Sequence, residues 1–537
     1  MIVGPDTPEH WRFYGRAEEL KRLGRQLAPK RGFHPKRIQG RRGIGKTELL
    51  VEVGRRANGQ PPVLIFDLKP ATAEDPHTRV SRLVEAARTH LPADKHTAWP
   101  PPDHRHYDSP CERFVDLVAA LLDCGIAVGL DEFHLARPLG LDATFKIMID
   151  ARQRVGSPPT PGRLFVLGSH QQQLLEMFAS DQPLHQRITA GIALKAWRVP
   201  TVLEMACEQG LLSFPGRFLT LWTAFGGIPR AWEDFIADED ETRLPDMTRW
   251  SSDQVWRAAF ISHQEALLER SSDERFDDKA TIELSNPQRA ILMHLGQRKP
   301  RGDIYDRVRA ALGETIEGEG MNRRAFEAGL HLLIRHLDLI EVLAPFDGDG
   351  TPRLQLVDNP TLFQLHVFPE LWSGYERVKS VHSPNLSTRR MARLETLEGQ
   401  ALERLTEGAL KAIRPDDWIL RNAWNQCPNG REVDLLAIAE DTTRSRAQVT
   451  IASCKRNANR HLRGAEALDD TSVAFLAQAR AGRRDLGLPE RPDETLLVSP
   501  EFTPEAREQM IARGRRTLDI RGMARLCGIP LPAPHSA

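Results

Sequence analysis

Residues 40–47 read GRRGIGKT, a G-x-x-x-x-G-K-[ST] pattern set between an apolar run, KRIQG (36–40), and a helical period, TELLVEVGRRA (47–57). No other stretch restricts the fold of this chain as strongly. A glycine-rich turn between strand and helix aims successive backbone N–H groups inward, and the helix that follows adds positive potential at its N-terminus. The arrangement suits a polyphosphate. Gly40, Arg41, Arg42, Gly43, Ile44 and Gly45 would form the cradle, with Glu48 following on the helix. Lys46 is placed to reach the β- and γ-phosphates, and the Thr47 hydroxyl to ligate Mg2+. ATP and Mg2+ are the cofactors this predicts.

Around that motif, short apolar runs alternate with helical periods through residue 200, the signature of an α/β domain with a parallel sheet. The expected strands are 36–40, 63–68, 126–132, 163–169 and a weaker 192–197; helices are expected over 47–57 and 112–123. IAVGLDEF (126–133) ends an apolar strand in two acids. Ligands of open α/β sheets bind at the carboxyl ends of the strands. Asp131 therefore suits the Mg2+ shell, and Glu132 the base that orients the attacking water. VLGSHQQQ (166–173) brings Ser169 and His170 to a neighbouring strand end, where a polar group could sense the γ-phosphate. Arg187 in DQPLHQRI (181–188) reads either as an arginine finger, acting in cis or from a second protomer, or as a surface arginine.

A chain of 537 residues exceeds one core, so several domains are expected. Equal numbers of basic and acidic residues, 73 each, exclude a global basic field for nucleic acid. Six scattered cysteines without a CxxC pair argue against a zinc site or a disulfide framework. With no signal pattern and no long apolar segment, a cytoplasmic protein that avoids membranes is expected. A Pro- and His-rich insertion at 92–110 reads as a loop. Helical patterning from 201 to 280 suggests a lid. Helices followed by a Gly/Asp-turn hairpin over 281–377 suggest a winged helix, and its helix 322–336 carries Arg323, Arg324, Arg335 and His336. That helix could face a DNA groove or pack internally. A basic linker (378–395), a last α/β region (396–527) and a disordered tail (528–537) complete the expected order.

The stretches FYGRAEELKRL (13–23), GRRGIGKT, GLDEF, LGSHQQQLLEMF, PLHQR and FGGIPRAW occur in this order. In this they resemble the archaeal-type ATPases, a branch of the AAA+/STAND P-loop NTPases. The resemblance implies that the box containing Gly15 and Arg16 helps hold the nucleotide base, with Ala17 where the family usually has Glu. It also implies a lid motif at Gly226, Gly227 and Pro229. The C-terminal region resembles the PD-(D/E)xK nucleases, whose two acids hold Mg2+ and whose lysine serves the nucleophile. Glu403 lies in LEGQALERLTEGAL, Glu432 and Asp434 in GREVDLLAIAE, and Ser453 and Lys455 in AQVTIASCKRN. Side chains alternate faces along a strand, so Asp434 shares a face with Leu436 and Ile438, and Lys455 with Ser453, Ile451 and Val449. Ser453 stands where that superfamily has Glu or Asp, which weakens the metal cage.

The fold class expected is thus an α/β P-loop domain with a helical lid, then a winged helix, then a small restriction-endonuclease-like α/β domain. An ATP-hydrolysing switch or remodeller linked to nucleic acid is the leading reading. A signalling or defence ATPase that assembles on ATP, and an ATP-gated nuclease, are the alternatives. Duplex DNA, a second copy of the chain or another protein are the partners left open.

Overall fold

The computed structural model describes residues 2–3, 12–27, 33–56, 62–69, 74–91, 109–154, 161–169, 171–236, 254–256, 258–259, 286–298, 302–315, 323–335, 338–346, 351–367, 388–424, 432–441 and 446–531. His170, His336, the Pro/His-rich loop up to 108, the stretch 378–387 and the end of the tail from 532 lie outside the described residues. No helix among the described residues is long and apolar enough to cross a membrane. The chain divides into two compact bodies, with the break between Ala196 and Trp197.

The first body is built on a six-stranded sheet of β1 (Ile2–Val3), β2 (Lys36–Gln39), β3 (Val63–Asp67), β4 (Ala127–Asp131), β5 (Leu164–Gly168) and β6 (Thr189–Ala193), in the order β1-β3-β4-β5-β2-β6. β2 to β6 run parallel, and β1, which the sequence pattern did not signal, pairs antiparallel with β3. The helices between the strands follow from amphipathic spacing and capping. In Pro110–Asp123, Ser109 accepts from the Glu112 N–H, Pro110 occupies the first turn, and Phe114, Leu117, Val118 and Leu121 are buried. The Phe114 ring meets Phe66 of β3 edge-on at 5.4 Å, joining that helix to the sheet.

The last strand is displaced from its expected position at 192–197 to Thr189–Ala193. Pairing decides this rather than apolar content. Lys36 Nζ donates to Thr189 Oγ1 at 2.7 Å, and a side chain at Gly191 would overlap the Arg37 carbonyl of β2. The chain leaves the sheet after the Leu194 N–H bonds the Gln39 carbonyl at 2.7 Å.

In the second body, the segment expected to form a lid gives the helices Val199–Glu208, Pro215–Phe225 and Pro229–Ile236. The Gly-Gly turn between the last two is held from both sides. Trp232 Nε1 donates to the Gly226 carbonyl and the Trp197 N–H to the Gly227 carbonyl, each at 2.7 Å. A second group consists of helices Asn286–Met293, Tyr305–Thr315 and Arg323–Arg335 with a three-stranded sheet, β7 (Asp303–Ile304), β8 (Ile340–Leu343) and β9 (Arg353–Leu356), in the order β7-β9-β8, and then helix Asn359–Val367.

The C-terminal sheet contains β10 (Trp418–Trp424), β11 (Glu432–Asp441), β12 (Arg446–Cys454), β13 (Glu494–Val498) and β14 (Arg516–Leu518), in sequential order. β10, β11 and β12 are antiparallel, and β12, β13 and β14 parallel. Helix Ala458–Gly482 makes the β12–β13 crossover. Its Phe475 and Leu476 pack with Leu436, Ile438, Val449 and Ile451, so the two apolar strand faces read from the sequence form one core.

One long helix, Thr388–Ile413, organises this body. It begins inside the stretch expected to be linker, because Leu394 and Leu397 are buried and Arg393 donates to the His366 carbonyl at 3.0 Å. The lid helices lie along it: Thr220 Oγ1 donates to Glu398 at 2.7 Å, and Trp222 Nε1 to the Ala401 carbonyl at 3.0 Å. The chain end is also engaged, since Cys207 Sγ meets the Pro530 carbonyl at 3.3 Å within the stretch expected to be disordered. At Gly408 the helices approach so closely that an added Cβ would lie 2.8 Å from Val199 Cβ. Overpacking of this kind costs about 1–3 kcal/mol. Gly408→Ala should therefore lower the thermal midpoint of the chain, and adding Val199→Ala should recover part of the loss, as read by calorimetry.

Candidate functional site

The phosphate loop leaves the carboxyl end of β2, the position expected for a ligand crevice. Its geometry requires glycine. Gly45 caps the Lys46–Arg55 helix with φ of 86°, and a Cβ on Gly40 would lie 2.8 Å from the Leu194 carbonyl oxygen. Lys46 is buried, and its ammonium donates to the Gly40 carbonyl at 2.9 Å and the Arg41 carbonyl at 3.1 Å. Burial lowers its pKa, against which Glu132 and Asp131 act. Arg16, following Gly15, has a left-handed backbone with φ of 63°. Its guanidinium donates to the Ile44 carbonyl at 3.2 Å and the Lys195 carbonyl at 2.5 Å, clipping the loop to the segment after β6. Arg42 and Glu48 are exposed beside the loop.

Asp131 ends β4 one strand beyond β5, and its side chain crosses to the loop. Thr47 Oγ1 donates to Asp131 Oδ2 at 2.5 Å, while the Glu132 N–H donates to Asp131 Oδ1 at 2.8 Å. A hydroxyl and a carboxylate held together suit Mg2+, which takes one or two protein oxygens and completes its octahedron with phosphate and water. Glu132 sits in a left-handed conformation with φ of 49°, uncommon for a non-glycine residue and frequent at functional sites. Its carboxylate accepts from Ser169 Oγ at 2.7 and 2.8 Å and from the Ser169 N–H at 3.2 Å. Lys69 Nζ lies 3.6 Å away and His134 Nδ1 3.4 Å away.

Burial by itself would raise the Glu132 pKa. Lys46, the Ser169 hydrogen bond, Lys69 and His134 outweigh it and hold the carboxyl down to about 2. Lys69 and His134 were not legible as site residues. Lys69 follows β3, and only the β3–β4 register, which pairs Asp67 with Asp131, brings it to Glu132. Arg187 lies elsewhere. It precedes β6, whose Thr189 pairs with the first residue of β2, so it sits at the amino edge of the sheet. There it pairs with Asp150 at 2.8 Å. The length of β2, about 13 Å for four residues, separates that edge from the phosphate loop.

The five C-terminal residues are also distributed by the fold. Asp434 Oδ2 accepts from the Cys454 N–H at 2.8 Å, from Lys455 Nζ at 2.9 Å and from Ser453 Oγ at 3.4 Å. Glu403 is buried, with the Asn422 amide nitrogen 2.9 Å from its carboxylate in the orientation that satisfies both groups. Glu432 pairs with Arg353 of β9 at 3.0 Å. Among the described residues, no three His, Cys, Asp or Glu side chains are grouped to hold a metal ion. The Cys454 thiol is pushed well up by burial and by the neighbouring Asp434 and Glu403 charges.

No protein-family model matches the chain, and no curated protein matches it. Solved structures give distant likenesses. The Walker-type ATPase paby2304 of Pyrococcus abyssi is 17% identical with a TM-score of 0.43, over 67% of this chain and 98% of that one. The Aeropyrum pernix ORC2 protein, in ADPNP–ADP complexes, is 16% identical with a TM-score of 0.42, over 67% and 95%. At such scores the functional reading rests on the chain's own residues.

The Glu132 environment has a pH consequence. The folded pKa, about 2, lies below the unfolded value of about 4.3. Its contribution to stability is therefore complete above the unfolded value and lost as pH falls through the folded one. In acid-unfolding titrations the stability deficit of Glu132→Gln relative to the parent chain should shrink steadily from about pH 5 to about pH 2.

Proposed function

We propose that this chain is a Mg2+-dependent ATPase of the AAA+/STAND kind, working as a nucleotide-driven switch. The observation that carries the reading is the carboxyl edge of the first sheet, where Lys46, Thr47, Asp131, Glu132 and Ser169 converge. In this reading the loop amides and Lys46 bind the β- and γ-phosphates, and Thr47 and Asp131 would hold Mg2+. The ion would neutralise developing charge on the phosphoryl group. Glu132, ionised and aimed by Ser169, orients the attacking water. Ser169 acts through Glu132 and is a positioning residue. The box at Gly15 and Arg16 supports the loop from behind, and Arg16 sets its backbone rather than touching phosphate.

Two measurements test this. Lys46→Ala should abolish ATP binding in calorimetry, and unchanged binding would defeat the reading. Ser169→Ala removes hydrogen bonds to a charged group, each worth about 1.5–3 kcal/mol, so turnover should fall about 10-fold or more with ATP affinity little changed.

The second body supports a connection to nucleic acid more weakly. Its helix, strand, helix, helix, hairpin order agrees with a winged helix. Its C-terminal helix, antiparallel strands, crossover helix and parallel strand agree with the nuclease-like reading. The hairpin is engaged internally: Glu341 pairs with Arg421, Arg353 with Glu432, and the Phe346 ring stacks on Phe475 at 5.8 Å. Internal packing is thus the favoured role of the hairpin. A groove contact would fall to the exposed Arg324 and Arg335 of the preceding helix.

Assembly on ATP is the second reading, and Arg187 is the residue that tests it. With Arg187 at the amino edge, a finger role requires a second protomer. Turnover per chain should then rise with protein concentration, and Arg187→Ala should remove that rise. Turnover with and without duplex DNA, alongside mass measurement, separates a DNA-linked remodeller from an assembling switch.

A further inference from the structure

The nuclease-like C-terminal centre implies a divalent cation between two acids and beside a lysine, and the residues present do not fit one. A metal there needs unshared carboxylate oxygens converging on one point. Asp434 Oδ2 already faces three donors: the Cys454 N–H at 2.8 Å, Lys455 Nζ at 2.9 Å and Ser453 Oγ at 3.4 Å. The second acid of the pattern is replaced by Ser453, a neutral hydroxyl that is 6% exposed. Glu403 is 2% exposed and held by Asn422, in the field of Arg404 and Arg421. Glu432 is drawn off to Arg353. The next cation along the strand end is engaged as well, since Arg456 pairs with Glu395 at 2.7 Å and with Glu398.

We infer that this domain has exchanged the divalent cation for its own ammonium: Lys455 occupies the cation's place beside Asp434, and the closed pair is a structural joint. The chemistry is self-consistent. The pair is partly buried, with the Asp434 side chain 16% exposed and that of Lys455 39% exposed, so the carboxylate is the member that most needs its partner. The backbone N–H of Cys454 and the Ser453 hydroxyl bond the same carboxylate oxygen, so the pair also fixes the end of β12 against β11. A lysine with its charge committed to Asp434 neither activates a water nor receives a phosphodiester. The joint closes the core formed by β11, β12 and helix Ala458–Gly482.

The inference rests on the nuclease-like reading of this sheet, and the test separates the two. In the full chain, Asp434→Asn and Lys455→Met should each lower the thermal midpoint by a few degrees, and the double variant should recover most of that loss. Mn2+ binding followed by electron paramagnetic resonance should be the same for the parent chain and Asp434→Asn. Plasmid DNA with Mn2+ should stay intact. A Mn2+ ion, or nicking activity, that the parent chain shows and Asp434→Asn loses would overturn the inference. So would additive losses in the double variant. Ser453→Asp combined with Lys455→Met restores a second acid and removes the competing ammonium, so it should gain a Mn2+ site. If that variant folds by circular dichroism, binds no Mn2+, and the pair behaviour is intact, the nuclease-like reading fails while the ion-pair joint stands.

Discussion

One carboxylate holds the functional edge of the first body together. Asp131 takes the Thr47 hydroxyl on one oxygen and the Glu132 backbone N–H on the other, spanning from the phosphate-loop helix to the strand that carries it. Because β5 lies between β2 and β4, no main-chain ladder joins the two elements directly. The Asp131 side chain gives them a polar link, beside the close approach of Leu50 to Gly129. The left-handed turn at Glu132 follows, and that turn carries the second carboxylate across to Ser169, the residue after β5. The geometry of this edge is therefore a property of where three parallel strands end.

How much of this was legible depended on how local each determinant is. The loop, Asp131 and Glu132 could be read because their chemistry fixes residue type and spacing over a few positions. Ser169 could be placed by analogy with a strand end, but its grip on Glu132 could not be known without the β4–β5 pairing. Lys69 was invisible, since nothing near it in sequence marks a charge partner. The displaced β6 shows the same limit: IALKAW has the stronger apolar pattern, yet backbone pairing with Lys36 and the tight approach at Gly191 choose residues 189–193. In the C-terminal domain, strand alternation gave the face of each residue, and the β11–β12 pairing is what brings Asp434 beside Ser453 and Lys455. It could not detect that Arg353, 79 residues earlier, captures Glu432.

The two bodies treat buried acids differently. Glu132 is kept charged by Lys46, the Ser169 hydroxyl, Lys69 and His134, which come from four different elements. Asp434 has its donors at the end of the adjoining strand, with the lysine only 21 positions along the chain. Similar residue types thus yield a carboxylate shared among several donors from different elements in one case and one held by three consecutive residues in the other.

The Thr388–Ile413 helix has a mechanical meaning beyond packing. Its 26 residues, at 1.5 Å rise each, make a rod about 39 Å long. The lid helices grip it at Glu398, Ala401 and Gly408, and the C-terminal strands grip it through Thr406 and Glu407. Such a rod is a lever. A tilt of about 5° at one end displaces the other by about 3 Å, given that length. A displacement of that size exceeds the tolerance of a hydrogen bond, so a tilt of this helix would break whole contacts along it rather than stretch them.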